Sequence, residues 1–121
     1  QSMLQSNATL VFGSDWPACI DINPIHGLHV AVNRQTTDGL PTGGWIPQQR
    51  IGMKEALLAY TNAGAYSSFE ETDKGKLQPG YLADFVVLSK DLFSIPPATI
   101  HQTNVLLTVV DGREVFKAAK W

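Results

Sequence analysis

The chain has 121 residues, 11 acidic and 9 basic side chains and a formal net charge of −2. Its 44% hydrophobic and 17% charged residues suit a globular chain, one able to bury roughly two-thirds of its unfolded surface without staples. Membrane spans, nucleic-acid binding and oxidative folding are all disfavoured. No apolar run approaches the ~20 residues a span needs, Arg34, Arg50 and Arg113 are far apart, and Cys19 has no second cysteine to pair with.

Taken in order, Gln1-Ser2-Met3 has no periodic pattern, shows no basic-then-apolar leader, and reads as the remnant of a protease site. Thr9-Leu10-Val11-Phe12, β-branched and aromatic and ended by Gly13, predicts a buried strand over 9–13. Residues 18–24 are irregular. Ile25, Leu28 and Val32 recur at three and four, which predicts a helix over 24–34. Thr36 to Pro47, with Asp38-Gly39, Pro41 and Gly43-Gly44, is a long surface loop. Met53, Ala56, Leu57, Tyr60 and Ala63 form one apolar face, predicting helix over 53–69 with a break at 62–64. Glu55 stands where a capping box has its acid, but Gly52 lacks the reciprocal side-chain oxygen.

Beyond Lys74 the pattern turns to β. Pro79-Gly80 fits the centre of a type II turn. Phe85 to Leu88 reads as a strand buried on both faces, and Val105 to Phe116 as a hairpin turning at Asp111-Gly112. Asp84, between turn and strand, is expected to anchor backbone as a hydrogen-bond acceptor.

Several side chains could carry chemistry. Asp15 follows the first apolar run by a few residues, where α/β folds place metal-binding and catalytic carboxylates. By spacing alone, a turn carboxylate accepting backbone N–H groups is the simpler reading. His26 and His29 are three apart without the glutamate of a zincin helix, so both read as surface or packed histidines. His101, among polar neighbours, is expected to be solvated. Cys19 has no adjacent histidine to activate it and is expected to be a small buried apolar side chain. Gly43-Gly44 has neither the preceding strand nor the lysine of a phosphate loop.

Longer stretches say more. Gly13-Ser14-Asp15-Trp16-Pro17, then Asn23-Pro24 and Ala31-Val32-Asn33-Arg34, resembles the last barrel segment of amidohydrolase-superfamily enzymes. The nearest likeness is to the branch holding N-substituted formamide deformylases and exoenzyme regulatory-type proteins. Glu55-Ala56-Leu57, Tyr60-Thr61 and Ala65-Tyr66 are similar to that branch's next helices. Residues 75–88, from Gly75-Lys76-Leu77 to Phe85-Val86-Val87-Leu88, resemble the return into its small β-domain, and 105–116 its closing hairpin. Gly52, where the branch has a serine or threonine cap, and Tyr81, where lysine is common, depart from the pattern.

The resemblance implies an α/β fold: the last strand–helix portion of a TIM-barrel amidohydrolase plus strands of its accessory β-sandwich. Residues 1–7 are then a lead-in, 8–73 the end of the (β/α)₈ barrel and 74–121 the β-domain strands. It implies that Asp15 is both metal ligand and proton carrier, because a divalent metal brings its water toward a pKa of ~7 and a neighbouring carboxylate can move that proton. His26, Arg34 and Trp45 would approach substrate through loop placement. A complete barrel takes about 250 residues, so the expected parent is a longer, zinc-type hydrolase of non-peptide C–N bonds in amides or N-formyl groups. This piece alone is expected to be inactive, without bound metal, and self-associating. Cytoplasm is the family-weighted compartment, and the expected partner is a small amide-type molecule, with neither nucleic acid nor membrane. The alternative is a non-catalytic regulatory or binding protein on the same scaffold.

Overall fold

The computed structural model describes residues 1–19 and 21–119. Residue 20 of the irregular 18–24 stretch, and residues 120 and 121 of the expected 74–121 unit, lie outside the described residues. The elements in order are α1 (Ser2–Gln5), α2 (Pro24–Asn33), a 3₁₀ turn (Pro47–Gln49), α3 (Met53–Tyr60), α4 (Asn62–Ser67), β1 (Phe85–Leu88), a 3₁₀ helix (Pro97–Gln102), β2 (Val105–Val110) and β3 (Arg113–Lys117).

The core forms where α2, α3 and the Pro97–Gln102 helix meet. Ile25 and Leu28 pack with Ile51, Ala56, Leu92 and Ile100, the last only 1% exposed. Asn23 starts α2, its Oδ1 accepting the Ile25 N–H at 3.0 Å, and Pro24 follows at the first helical position. Arg34 ends that helix in the left-handed region at φ 57. The apolar stripe of α3 behaves as its spacing predicts: Ala56 and Ala63 are buried, and Met53, Leu57 and Tyr60 pack partly against the core. The helical stretch does break, but at Thr61 rather than at 62–64. The Thr61 hydroxyl donates back to the Leu57 carbonyl at 2.8 Å, and the chain restarts as α4.

The three strands form one antiparallel sheet in the order β1-β2-β3. Phe85 pairs with Val109 and Val87 with Leu107, which places alternate residues on the buried face. The turn falls on Asp111 and Gly112, both at positive φ (50 and 71), as a two-residue hairpin requires. Asp84 does anchor backbone: its Oδ1 accepts the Asp111 N–H at 2.7 Å. Tyr81 N–H donates to Gln78 O at 3.1 Å across Pro79-Gly80, closing the expected turn with Gly80 at φ +93.

Three expectations are corrected here. Residues 9–13 are extended, with exposure alternating along them, but they belong to no sheet. The reason is pairing: the described strands are all elsewhere, and this segment is tied to α3 through Phe12, whose N–H donates to Ala59 O at 3.0 Å and whose ring meets Tyr60 edge-on at 5.4 Å. β1 is not buried on both faces, since Val86 is 52% exposed and only one face of this small sheet is covered. His101 is not solvated in a polar loop. Its ring packs edge-on against buried His29, with centroids 4.8 Å apart.

Candidate functional site

A groove of about 870 Å³ opens between the 12–24 segment and the outer face of α2. Its walls include Phe12, Ser14, Cys19, Asp21, His26 and Arg34. Two local devices build the wall near His26. Asp21 makes an Asx-type turn, its Oδ1 accepting the Asn23 N–H at 2.8 Å. Its other oxygen, Oδ2, pairs with His26 Nδ1. The Asn23 N–H first, and His26 second, hold the Asp21 carboxyl below the usual carboxylate range.

Arg34 enters the groove from the end of α2 and is held from behind. Its Nε donates to Trp45 O at 3.1 Å, and its guanidinium lies 4.6 Å from the centre of the Trp45 ring, a contact worth about 0.5–1 kcal/mol when exposed. Trp45 N–H returns a bond to Arg34 O at 2.7 Å. Arg50 ties the same loop down, donating to Asn33 O at 3.1 Å and Gly43 O at 2.8 Å. The 36–47 loop is therefore braced on the end of α2, and Gly43-Gly44 serves that bracing. Gly44, at φ +86, runs so close to Asn33 O that a Cβ there would sit 2.7 Å away.

Asp15 lies between the groove-lining residues Ser14 and Ala18, exposed and at φ 52. The turn uses its backbone, since Asp15 O accepts from Ala18 N at 2.8 Å and Cys19 N at 3.2 Å. Ser14 Oγ, not the Asp15 carboxylate, accepts the Trp16 N–H at 3.3 Å. The carboxylate itself has no partner among the described residues. That differs from the simpler sequence reading, in which the side chain was spent on backbone N–H groups. Cys19 is exposed, not buried as expected, because the loop carries it to the groove wall instead of the core.

Of the sequence candidates, His26 and Arg34 share the groove, Asp15 lies in the chain between two of its lining residues, and Trp45 stands outside as the support of Arg34. Sequence reasoning missed Asp21. Its signal was present in the Asp-Ile-Asn-Pro run, a turn carboxylate leading into a helix cap with a histidine one turn later. A catalytic zinc needs three or four ligands, and among the described residues no group of three His, Cys, Asp or Glu side chains can hold a metal ion. No helix among the described residues is long and apolar enough to cross a membrane.

An exposed carboxylate beyond an extended segment, a capped helix behind it and a small antiparallel sheet after it make up an α/β unit. The chain belongs to the amidohydrolase family, whose model matches residues 1–116. It is 40% identical over 119 residues to Protein LONG AFTER FAR-RED 3 of Arabidopsis thaliana, covering 96% of this chain and 19% of that protein. It is 33% identical over 105 residues to the putative amidohydrolase YtcJ of Bacillus subtilis (strain 168), covering 87% of this chain and 20% of that one. With N-substituted formamide deformylase of Arthrobacter pascens it shares 30% identity over 112 residues, 93% of this chain and 20% of the enzyme. The chain thus spans about one fifth of the length of the curated relatives it matches. In fold it is similar to an amidohydrolase from Thermotoga maritima MSB8 (TM-score 0.65, 22% identity, 96% of this chain and 25% of that one). It is likewise similar to E. coli guanine deaminase (TM-score 0.69, 23% identity, 97% of this chain and 29% of that one).

Proposed function

We propose that this chain is the C-terminal part of a metal-dependent hydrolase of non-peptide C–N bonds, in which residues 8–73 complete a (β/α)₈ barrel and 74–121 belong to a β-sandwich. The observation that carries this reading is the family match over nearly the whole chain, at 30% identity or better to a named formamide deformylase and a putative amidohydrolase. Asp15 is the residue it assigns to chemistry. An unengaged carboxylate on a backbone fixed by two hydrogen bonds is suited to accept a proton from an attacking water and return it to the departing amine. Asp15 would also be this chain's one contribution to a divalent metal, zinc by the family resemblance, with the remaining ligands supplied from outside these residues. His26, oriented by Asp21, and Arg34, oriented by Trp45, would meet a small amide-type substrate at the groove. Cytoplasm is the compartment this reading carries.

The test compares this chain with the longer protein that contains it. The longer protein is expected to bind metal by elemental analysis and to hydrolyse an amide or N-formyl substrate. Asp15→Asn should lower its kcat by about 10²-fold or more, the size of a lost general acid–base group. The chain alone is expected to do neither. Stoichiometric zinc in the chain, with turnover that Asp15→Asn abolishes, would overturn the division of ligands. A longer protein without a His-x-His pair and without turnover would favour the binding-protein alternative. The extended 9–13 segment, with unpaired backbone edges, also predicts self-association of the isolated chain, and light scattering showing a stable monomer at micromolar concentration would refute it.

A further inference from the structure

We propose that the His29–His101 contact is an acid-sensitive latch, which holds the Pro97–Gln102 helix against α2 and releases it when His29 takes a proton. This inference stands apart from the catalytic reading and uses neither Asp15 nor the groove. His29 is 2% exposed, and its hydrogen bonds fix its tautomer. Nε2 faces the Thr36 carbonyl at 3.1 Å, and a carbonyl only accepts, so Nε2 carries the hydrogen. Nδ1 is then a bare lone pair. Asn33 Nδ2 faces it at 3.2 Å, sharing with it the two hydrogens that it also gives to two carbonyls.

Asn33 is the hinge of the argument, because the same amide nitrogen joins two elements. It donates to His29 O at 3.0 Å within α2 and to Pro97 O at 2.9 Å across the seam. Both partners are carbonyls, so the Asn33 amide cannot turn its oxygen toward them. A proton on His29 Nδ1 would therefore set donor against donor, with no rearrangement of Asn33 that keeps the Pro97 bond. The opposite wall gives no relief. His101 lies edge-on at 4.8 Å, and its Nδ1 is buried without a hydrogen-bond partner.

The groups facing His29 offer a new cation little support. From its own helix comes His26, already paired with Asp21; from the 3₁₀ helix, His101; from the following loop, the Thr36 carbonyl, already used. No hydrogen bond joins a carboxylate to either ring among the described residues. Burial holds the His29 pKa below its ordinary value of 6.5; the Thr36 carbonyl opposes that, while the charges of His101 and His26 reinforce it. The sign follows. The unfolded or opened form binds the proton more readily than the closed form, so the latch is at full strength above about pH 6.5 and weakens as pH falls from there to the closed-state value.

The chain has three histidines, so each ring can be followed by NMR from pH 7.5 to 4.5 alongside amide exchange in residues 97–103, with intrinsic exchange divided out. We expect His29 to titrate below 6.5 and opening of 97–103 to rise by up to about tenfold per pH unit between 6.5 and that midpoint, levelling off below it. The β2 amides should stay protected. His29→Gln keeps a donor for Thr36 and an acceptor for Asn33 but cannot titrate, and should flatten the profile. If that variant does not fold, the native titration still decides. A His29 midpoint at or above 6.5, exchange in 97–103 that is flat between pH 6.5 and that midpoint, or a pH response that survives His29→Gln would each overturn the latch.

Discussion

The sheet formed by β1, β2 and β3 and the extended segment over 9–13 have similar apolar strand sequences and opposite fates. Phe85-Val86-Val87-Leu88 finds its neighbour in β2, beyond the Pro97–Gln102 helix, and an anchor at Asp84, so its ladder closes within the chain. Leu10-Val11-Phe12 is equally strand-like, yet nothing beside it offers a ladder, and it lies extended against α3 by one backbone bond and one aromatic contact. Strand propensity is thus a statement about neighbours as much as about residues. Asp15, Cys19 and Asp21 all follow that segment, which pairs with no strand among the described residues.

That contrast breaks most sharply at Ile100, where the C-terminal half meets α2. Ile100 is the most deeply buried large side chain, in the core where the Pro97–Gln102 helix meets α2, and Ile100→Ala should cost about 2–5 kcal/mol as lost transfer energy plus a cavity. Urea unfolding followed by far-UV circular dichroism and by tryptophan fluorescence would measure it. Coincident, destabilised transitions mean the regions are one cooperative unit; a sheet signal surviving after the helices unfold would show that the sheet stands alone. A change under about 1 kcal/mol would contradict the placement of Ile100 in the core.

A smaller effect separates bracing from mere turn geometry. Gly44 and Gly80 both sit at positive φ, +86 and +93, but only Gly44 would drive a Cβ into a backbone atom. Gly80→Ala should lose about 1–2 kcal/mol, the cost of a left-handed alanine. Gly44→Ala should lose more, up to about 3 kcal/mol, because Asn33 O must move as well. Thermal melts of the two variants give the difference directly. Equal losses would mean that the 36–47 loop is not braced against α2 as described.

How much was legible follows the same division. The helix over 24–34, the hairpin at Asp111-Gly112 and the turn at Pro79-Gly80 were readable because each is settled by residues within a few positions; Asp84 was readable as an acceptor, although its partner, the Asp111 N–H, is 27 positions on. The break at Thr61 was misplaced by one residue, since glycine at 64 is the louder signal but the Thr61 hydroxyl bond to Leu57 O acts first. The His29–His101 contact was illegible for a different reason. It joins positions 72 apart, and nothing in the polar surroundings of His101 announces a buried partner. Of the site, Asp15 was legible as a candidate and His26 and Arg34 as neighbours. Asp21 was hidden because its role depends on a turn, and Cys19 was misjudged because composition favours burial for a lone cysteine.

The smallest expected effect tests the comparison from the chemical side. Asp15→Asn should change the stability of this chain by no more than about 0.5 kcal/mol, the range for surface substitutions away from special features. The physical grounds are specific. The carboxylate is exposed and has no partner among the described residues, so its removal breaks no bond to them. The turn is made by Asp15 O, which the substitution retains. Asparagine tolerates φ 52 about as well as aspartate does, so no backbone strain is added. Asp15→Ala is the informative contrast: it loses the same carboxylate but also places an alanine in the left-handed region, and should be the less stable of the two by about 1 kcal/mol. Chemical denaturation of both variants would check the ordering. If Asp15→Asn were as costly as Ile100→Ala, the carboxylate would be holding the fold together, and its availability for chemistry in a longer enzyme would be lost.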